Sequence, residues 1–588
     1  MILFGTEAGP FNDALRTLTH FWRVNDAELA LDDSSPVVLV DLQHEDMNLI
    51  FGCLTAAKYV QRETNAQLVG LIGHSALCTV ISDGLYDIQR VQDIARGFGV
   101  DTFLRLDAQG LYEFCEGRPE VVEMITTEMA RLDADLDVRD GLVDMARLAS
   151  FATADGVPIG NYTADTVVRI LIDPTPDSEA LGLVRLMAMD CLQIKAAVEW
   201  IAATSPVAAY VTSHMVFTNW ATASHVLAAR GVNVVLIGHE ASGFQIDIVA
   251  TPPEPGKPVY AKVSEGRAAV LDAIVEDDTA ARRGLCRKVG ALASSPDILG
   301  ASRWNIDAAG DLDRSADSAL RAQARERLGI VEANAETVFV VAHCFSDAPR
   351  SEPGLFDDYW AWMCWTLDRA VDIPEKNWVV RFHPFSATYR EHAVLARFIE
   401  RYGRAENVFF DNRLLSKDEF FSLCDVAVTV RGTLGHELVR HGIPVVVAGS
   451  SAYSRGGFVH APADLDEYEK LLRLPASSLP ELPDAADRAR AWTMLVTVGA
   501  GTQSAYVPLF AEHPWDFNFA QIARAYRSTM LEFDPGSANF ARAWRDGLPL
   551  VVNGDLWGAV DDSTPPRDRT TDRLRLESWA IGEEGDVQ

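Results

Sequence analysis

The chain has 588 residues, 48% hydrophobic and 23% charged, which excludes default disorder and predicts two or three globular domains. Its 84 acidic residues outnumber 52 basic ones, and the net charge of −32 argues against a nucleic-acid partner and against a broad basic face on anionic lipid. The eight cysteines, at 53, 78, 115, 191, 286, 344, 364 and 424, form no C-x-x-C pair and suit neither zinc nor a disulfide framework. No basic segment followed by an apolar one opens the sequence, and no apolar run is long enough to span a bilayer, so a cytoplasmic location is expected.

In chain order, strands are predicted at 36–42, 66–73, 101–107, 207–214 and 232–238, with helices from Asp46 to about Arg62 and ending at Ala229. Residues 262–330 read as a charged helical connection. A second series follows: strands at 337–345, 377–383, 407–410, 425–430 and 443–449. Helices are expected at Phe356–Ala370 and His392–Tyr402, and from about Thr433. Strands alternating with helices predict parallel sheets covered on both faces. The fold class is therefore α/β, with two Rossmann-like doubly wound domains whose strand ends face a cleft. The expected organisation is 1–261 as the first Rossmann-like domain and 262–330 as a helical connection. Residues 331–485 are expected as the second Rossmann-like domain, 486–560 as C-terminal helices, and 561–588 as a polar tail.

Three turns of the second domain carry candidate chemistry. In TVRGTLGHELVRHG, Gly432 would admit a phosphate to the backbone at a helix start, Arg431 would add charge, and Glu437 could accept from ribose hydroxyls. An ordinary turn with Thr433 as helix cap is the competing reading. In RFHPFS, Pro384 ends the strand and His383 could donate to a phosphate; a histidine capping a sheet edge is the alternative. In HCFSDAPR, Ser346 could bind phosphate and Asp347 a sugar hydroxyl or a base, against the plain turn that Ser-Asp-Ala-Pro also encodes. In the first domain, His214 is expected at a strand end, and GVPIGNYTADTVVR combines a glycine-containing turn with Asp165 and Arg169. The acidic run LDADLD (132–137) is better explained as a solvated helix face than as a metal motif.

At these residues, chiefly over 337–470, the sequence resembles the bacterial capsule polysaccharide biosynthesis family, which includes capsule Kdo transferases. The likeness rests on FSDAP, RFHP and TVRGTLGHELVRHGIPVVVAGSSAYSRGGF, with weaker likeness at GVPIGNYTADTVVR and VTSHMVFTNWATASHVLAARGVNVV. Asn161 stands where an acidic residue is expected. The resemblance implies a GT-B glycosyltransferase, metal-independent and without a cofactor, that uses a nucleotide-sugar donor, CMP-linked as a first choice. It implies donor contacts at His383, Pro384, Thr433 and Glu437. The acceptor would be a glycan or glycolipid, and peripheral association with an inner-membrane assembly complex is compatible. Asp165 is then the expected acid–base or nucleophilic carboxylate and His214 the alternative base. The rival readings are a CDP-glycerol-type glycerophosphotransferase, a UDP-sugar epimerase, and an inactive glycan-binding scaffold.

Overall fold

The computed structural model describes residues 8–26, 29, 31, 34–44, 46–73, 86–240, 243–276, 318–331, 335–352, 354–412, 414–496, 501–502, 519–528 and 534–552. The candidate residues all lie among them, whereas the polar tail does not.

The β-branched runs form two sheets. The first contains β1 (Val37–Asp41), β2 (Gln67–Ile72), β3 (Thr102–Arg105), β6 (Val207–Thr212), β7 (Asn233–Glu240) and β8 (Gly243–Val249). A small hairpin, β4 (Val138–Arg139) with β5 (Leu142–Val143), stands apart. The second sheet contains β9 (Glu336–Val341), β10 (Lys376–Arg381), β11 (Val408–Asp411), β12 (Val426–Thr429) and β13 (Val445–Val447). β14 (Gly501–Thr502) returns to the first sheet.

The sheet orders are β14-β8-β7-β6-β1-β2-β3 and β11-β10-β9-β12-β13. The five strands β3-β2-β1-β6-β7 are parallel, as is the whole second sheet, so each unit is a doubly wound Rossmann-like sheet. The antiparallel edge β8–β14 was not expected. In FQIDIVA an acid interrupts the apolar run, yet Asp247 is buried and paired with Arg267 at 2.7 Å.

Helices cover both faces of each sheet, and aspartates start many of them. Asp46 accepts from the Asn48 N–H ahead of Met47–Thr64, and Ser416 with Glu419 forms a capping box ahead of Lys417–Leu423. Asp358 caps Tyr359–Val371 through the Ala361 N–H at 2.7 Å. The apolar faces pack two cores per sheet, and fully buried side chains such as Trp362 and Trp378 each contribute about 1.5–3 kcal/mol.

Two segments belong to both units. Helix Ala261–Glu276 places Val263 in a core of the first sheet and Val270 and Leu271 in a core of the second. Near the end of the described chain, Val551 enters the first unit's core while Leu550 and Val552 enter the second's. Helices Phe519–Ser528 and Pro535–Asp546 pack on the first unit, where Ile522, Tyr526, Phe540 and Ala543 complete its core. No described helix is long and apolar enough to cross a membrane.

Candidate functional site

In an open parallel sheet, ligands meet the carboxyl ends of the strands where the order reverses. In the first sheet that point lies between β1 and β6, and in the second between β9 and β12. Each strand end there carries a side chain able to donate a hydrogen bond. His44 follows β1 and His214 follows β6; His343 follows β9 and Arg431 follows β12.

On the first sheet, the His44 and His214 rings stack 5.0 Å apart and 8° from parallel. Trp220 lies 4.7 Å from His214 on the short π-helical turn Phe217–Ala221, a departure from α geometry that is frequent at functional sites. His214 Nδ1 lies 2.9 Å from Ser213 Oγ. Burial, then the neighbouring His44, pushes His214 down to about 3, with Asp347 pulling the other way. The ring is therefore neutral at neutral pH. The Asp46 N–H donates to His44 Nδ1 at 2.9 Å, so the proton of a neutral His44 sits on Nε2.

On the second sheet, His343 lies 4.9 Å from Tyr359 and 5.3 Å from His383. Burial lowers its pKa, Asp347 opposing and Arg431 adding to the shift. His383 Nδ1 accepts from the Phe385 N–H at 3.2 Å and lies 3.1 Å from Cys344 Sγ. In a neutral His383 ring the proton accordingly sits on Nε2, a donor suited to a phosphate oxygen. Pro384 starts the short turn behind it.

The expected residues fare differently. Asp347 is half-buried and acts electrostatically on His214 from one sheet and on His343 from the other. Its charge, followed by burial, also holds the Tyr389 hydroxyl well above its ordinary range. Ser346 is already committed: its N–H and hydroxyl both donate to buried Glu391 at 2.8 Å, and burial raises the Glu391 pKa. Arg431 is oriented rather than mobile. Its Nε lies 2.8 Å from Glu352, one Nη donates to Ser351 at 2.7 Å, and Tyr260 covers it at 5.0 Å.

The turn at Gly432 is internally bonded. Its N–H donates to Thr429 Oγ1 at 3.2 Å, and its carbonyl accepts from the Tyr453 hydroxyl at 2.5 Å. Thr433 stands at the N-cap position of helix Leu434–Arg440, as the capping alternative has it, but makes no side-chain cap bond and is exposed. Glu437 is half-buried with Lys417 at 3.7 Å. The second glycine of this motif has a packing role: a Cβ at Gly435 would stand 2.3 Å from the Tyr453 hydroxyl oxygen.

Asp165 requires a correction. It was expected to meet an acceptor, but it is 1% exposed and accepts from the Arg350 N–H at 3.2 and 3.3 Å. Burial lifts its pKa to about 7, against the pull of Arg350. The neighbouring Gly160 serves packing, since a Cβ there would lie 1.9 Å from the Leu148 carbonyl oxygen. Arg169 reaches the second unit, 3.4 Å from Ser346 Oγ and 3.9 Å over the Tyr389 ring. The acidic run 132–137 forms exposed ion pairs, among them Asp133 with Arg185 and Asp135 with Arg147. Among the described residues no group of three or more His, Cys, Asp or Glu could hold a metal ion.

Sequence reasoning missed His44, His343, Tyr359 and Tyr389. His343 was hidden because the apolar run was expected to continue as strand to residue 345, whereas β9 ends at Val341. A histidine two or three residues beyond each central strand is the signal that would have found the pair.

No family model matches the chain, and no curated protein sequence matches it. Among solved structures it is similar to the beta Kdo 2,4 transferase KpsC of Thermosulfurimonas dismutans. Identity is 14%, over 49% of this chain and 79% of that one, with a TM-score of 0.29. Anabaena HepE in complex with UDP and glucose is 12% identical over 79% of this chain and 95% of its own, with a TM-score of 0.27. UDP-GlcNAc 2-epimerase from Neisseria meningitidis bound to UDP-GlcNAc is 10% identical over 84% and 97%, with a TM-score of 0.24. Identities this low bear on fold alone, and TM-scores this low leave the fold to the sheets themselves.

Proposed function

We propose that the chain is a GT-B glycosyltransferase that moves a sugar from an activated nucleotide donor to a cell-surface or capsular glycan. The observation that carries this reading is that Asp347, on the loop after β9, acts electrostatically on His214 at the first sheet's reversal point and on His343 at the second's. One edge offers hydrogen-bond donors and a fixed cation to a phosphate. The other offers a neutral imidazole to a hydroxyl.

In this reading the donor phosphate lies near His383 and Arg431, with Glu437 towards the ribose. The acceptor hydroxyl lies between His214 and Asp347. In a single displacement its proton passes to that pair and its oxygen bonds to the anomeric carbon. The anomeric carbon–phosphate oxygen bond breaks, and its electron pair leaves on the nucleotide phosphate, where Arg431 and His383 take up the charge. His214 alone is a weak base at its lowered pKa, and the adjacent carboxylate favours the imidazolium as it forms. Asp165 has no place in this chemistry.

CMP-sugars are the first donor choice. A thermal-shift screen against CMP, CDP, UDP and GDP without added metal tests the reading, because a ligand bound only to the folded state raises the melting temperature. A cytidine-nucleotide shift that Glu437→Ala abolishes is expected. A shift with UDP alone would replace the donor class. No shift from well-folded protein would overturn the reading in favour of a non-catalytic glycan binder.

A further inference from the structure

Besides the two shared segments and the Arg397 pair with Asp173 and Thr175, contacts between the two units gather on one loop, residues 344–352, which follows β9 and carries Asp347. The first unit grips this loop on both sides of that carboxylate. Ahead of it, Arg169 reaches Ser346. Just after it, Ala348 packs against Phe217 and Trp220 of the π-helical turn. Further on, the Arg350 N–H donates to both oxygens of Asp165, and the Arg350 carbonyl accepts from Asn161 Nδ2 at 3.1 Å.

The Arg350 guanidinium lies 3.5 Å from Asp165 and bonds Asp358 on its own unit. The Asp165 and Arg350 side chains are each 2% exposed. Such a group is costly to break at Arg350, which would leave two buried carboxylates without their cation, and less so at Asp165, because Asp358 still pairs with Arg350. Two non-glycine residues in the contact hold left-handed backbones, Ala348 at φ 46° and Phe217 at φ 63°. Such conformations persist where surrounding contacts over-determine them, and they cluster at functional sites.

We propose that Asp165 and Arg350 are positioning residues that lock the two units together and thereby hold the Asp347 loop on the Phe217–Ala221 turn, whose Trp220 stacks on His214. The inference deepens the transfer reading and rests on it only for the catalytic consequence. Asp165 acts through Arg350 and touches no reacting group. The lock also reaches the donor side. Asp358 starts the helix that opens with Tyr359, and Tyr359 contacts Arg431 at 3.3 Å.

The test uses the full chain and the variants Asp165→Asn, Asp165→Glu and Asn161→Ala. Small-angle X-ray scattering without nucleotide reads the separation of the units. A transfer assay reads kcat, donor KM and the pH profile. Asp165→Asn and Asn161→Ala are expected to raise the radius of gyration. They should lower kcat by about tenfold or more, since misplacement of order 1 Å costs up to about a hundredfold. The pH profile should keep its shape, and Asp165→Glu should restore part of the rate. Asn161→Ala removes one neutral hydrogen bond and leaves no buried charge, so it decides the matter where Asp165→Asn fails to fold. An unchanged radius of gyration in the folded variants overturns the lock. A displaced pH profile with unchanged dimensions would make Asp165 an acid–base group instead. Because the scattering needs no ligand, it judges the lock even where the wild type binds no nucleotide and the transfer reading has failed.

Discussion

The five parallel strands of each sheet share one order, and the two sheets differ in what they present where that order reverses. The first presents two stacked imidazoles, one of them held neutral by burial. The second presents an imidazole beside a permanent cation, and burial works against that cation's charge while Glu352 and Tyr359 outweigh it. The same backbone geometry thus presents two imidazoles at one edge and an imidazole beside a guanidinium at the other.

The sharpest way to break that comparison is to exchange the effects of the two edges. His214→Ala should lower the transfer rate by about 10²–10⁴-fold while leaving donor affinity nearly unchanged, as read by steady-state kinetics and titration. Equal losses in rate and donor affinity would show that the first edge also binds donor. Next in size, Arg431→Met combined with Glu352→Gln, which avoids an unpaired buried carboxylate, should weaken nucleotide binding by about 1.5–3 kcal/mol in calorimetry. Gly435→Ala should cost about 1–3 kcal/mol in denaturant unfolding, because its Cβ would push Tyr453 off the Gly432 carbonyl.

The smallest effect per unit of change is in pH. Each unit buries a histidine away from the cleft. His225 Nδ1 lies 3.0 Å from the Tyr162 hydroxyl, and His436 Nδ1 lies 3.0 Å from Thr493 Oγ1. Burial lowers them to about 4 and about 3 from 6.5. Folded values below the unfolded one mean that the unfolded chain takes up protons first. Their contribution to stability is full above 6.5 and is lost as the pH falls towards the folded values. Each should add about 1.4 kcal/mol per pH unit to that loss, and His225→Asn or His436→Asn should flatten the slope measured by unfolding at a series of pH values. A slope that neither variant changes would place acid sensitivity elsewhere.

The parallel strands were legible because their β-branched runs are buried on both faces, and helix His392–Tyr402 was expected with the bounds it has. The antiparallel edge was not, because Asp247 interrupts β8 and its partner Arg267 lies in the connecting helix. The positions of Asp347, His383 and Arg431 just beyond strands could be read. The burial of Asp165 could not, since its partner is a backbone group 185 residues away. Ser346 misled for a similar reason: a serine in a turn resembles a phosphate ligand until its buried carboxylate partner, 45 residues on, is known.

The return of the chain to its first unit also bears on synthesis at the ribosome. Tyr59 bonds Asp534 across 475 residues, and Phe540, Ala543 and Val551 fill a core begun by residues 18–60. A nascent chain that has emerged as far as β13 holds every strand of its second sheet, while its first core still lacks these side chains. Leu550 and Val552 complete the second core in the same stretch, so the usual amino-terminal-first order of domain folding gives way to a last step that both units share. Until that step the unfinished apolar face is open to chaperones, and a fragment ending before residue 519 would keep it open permanently.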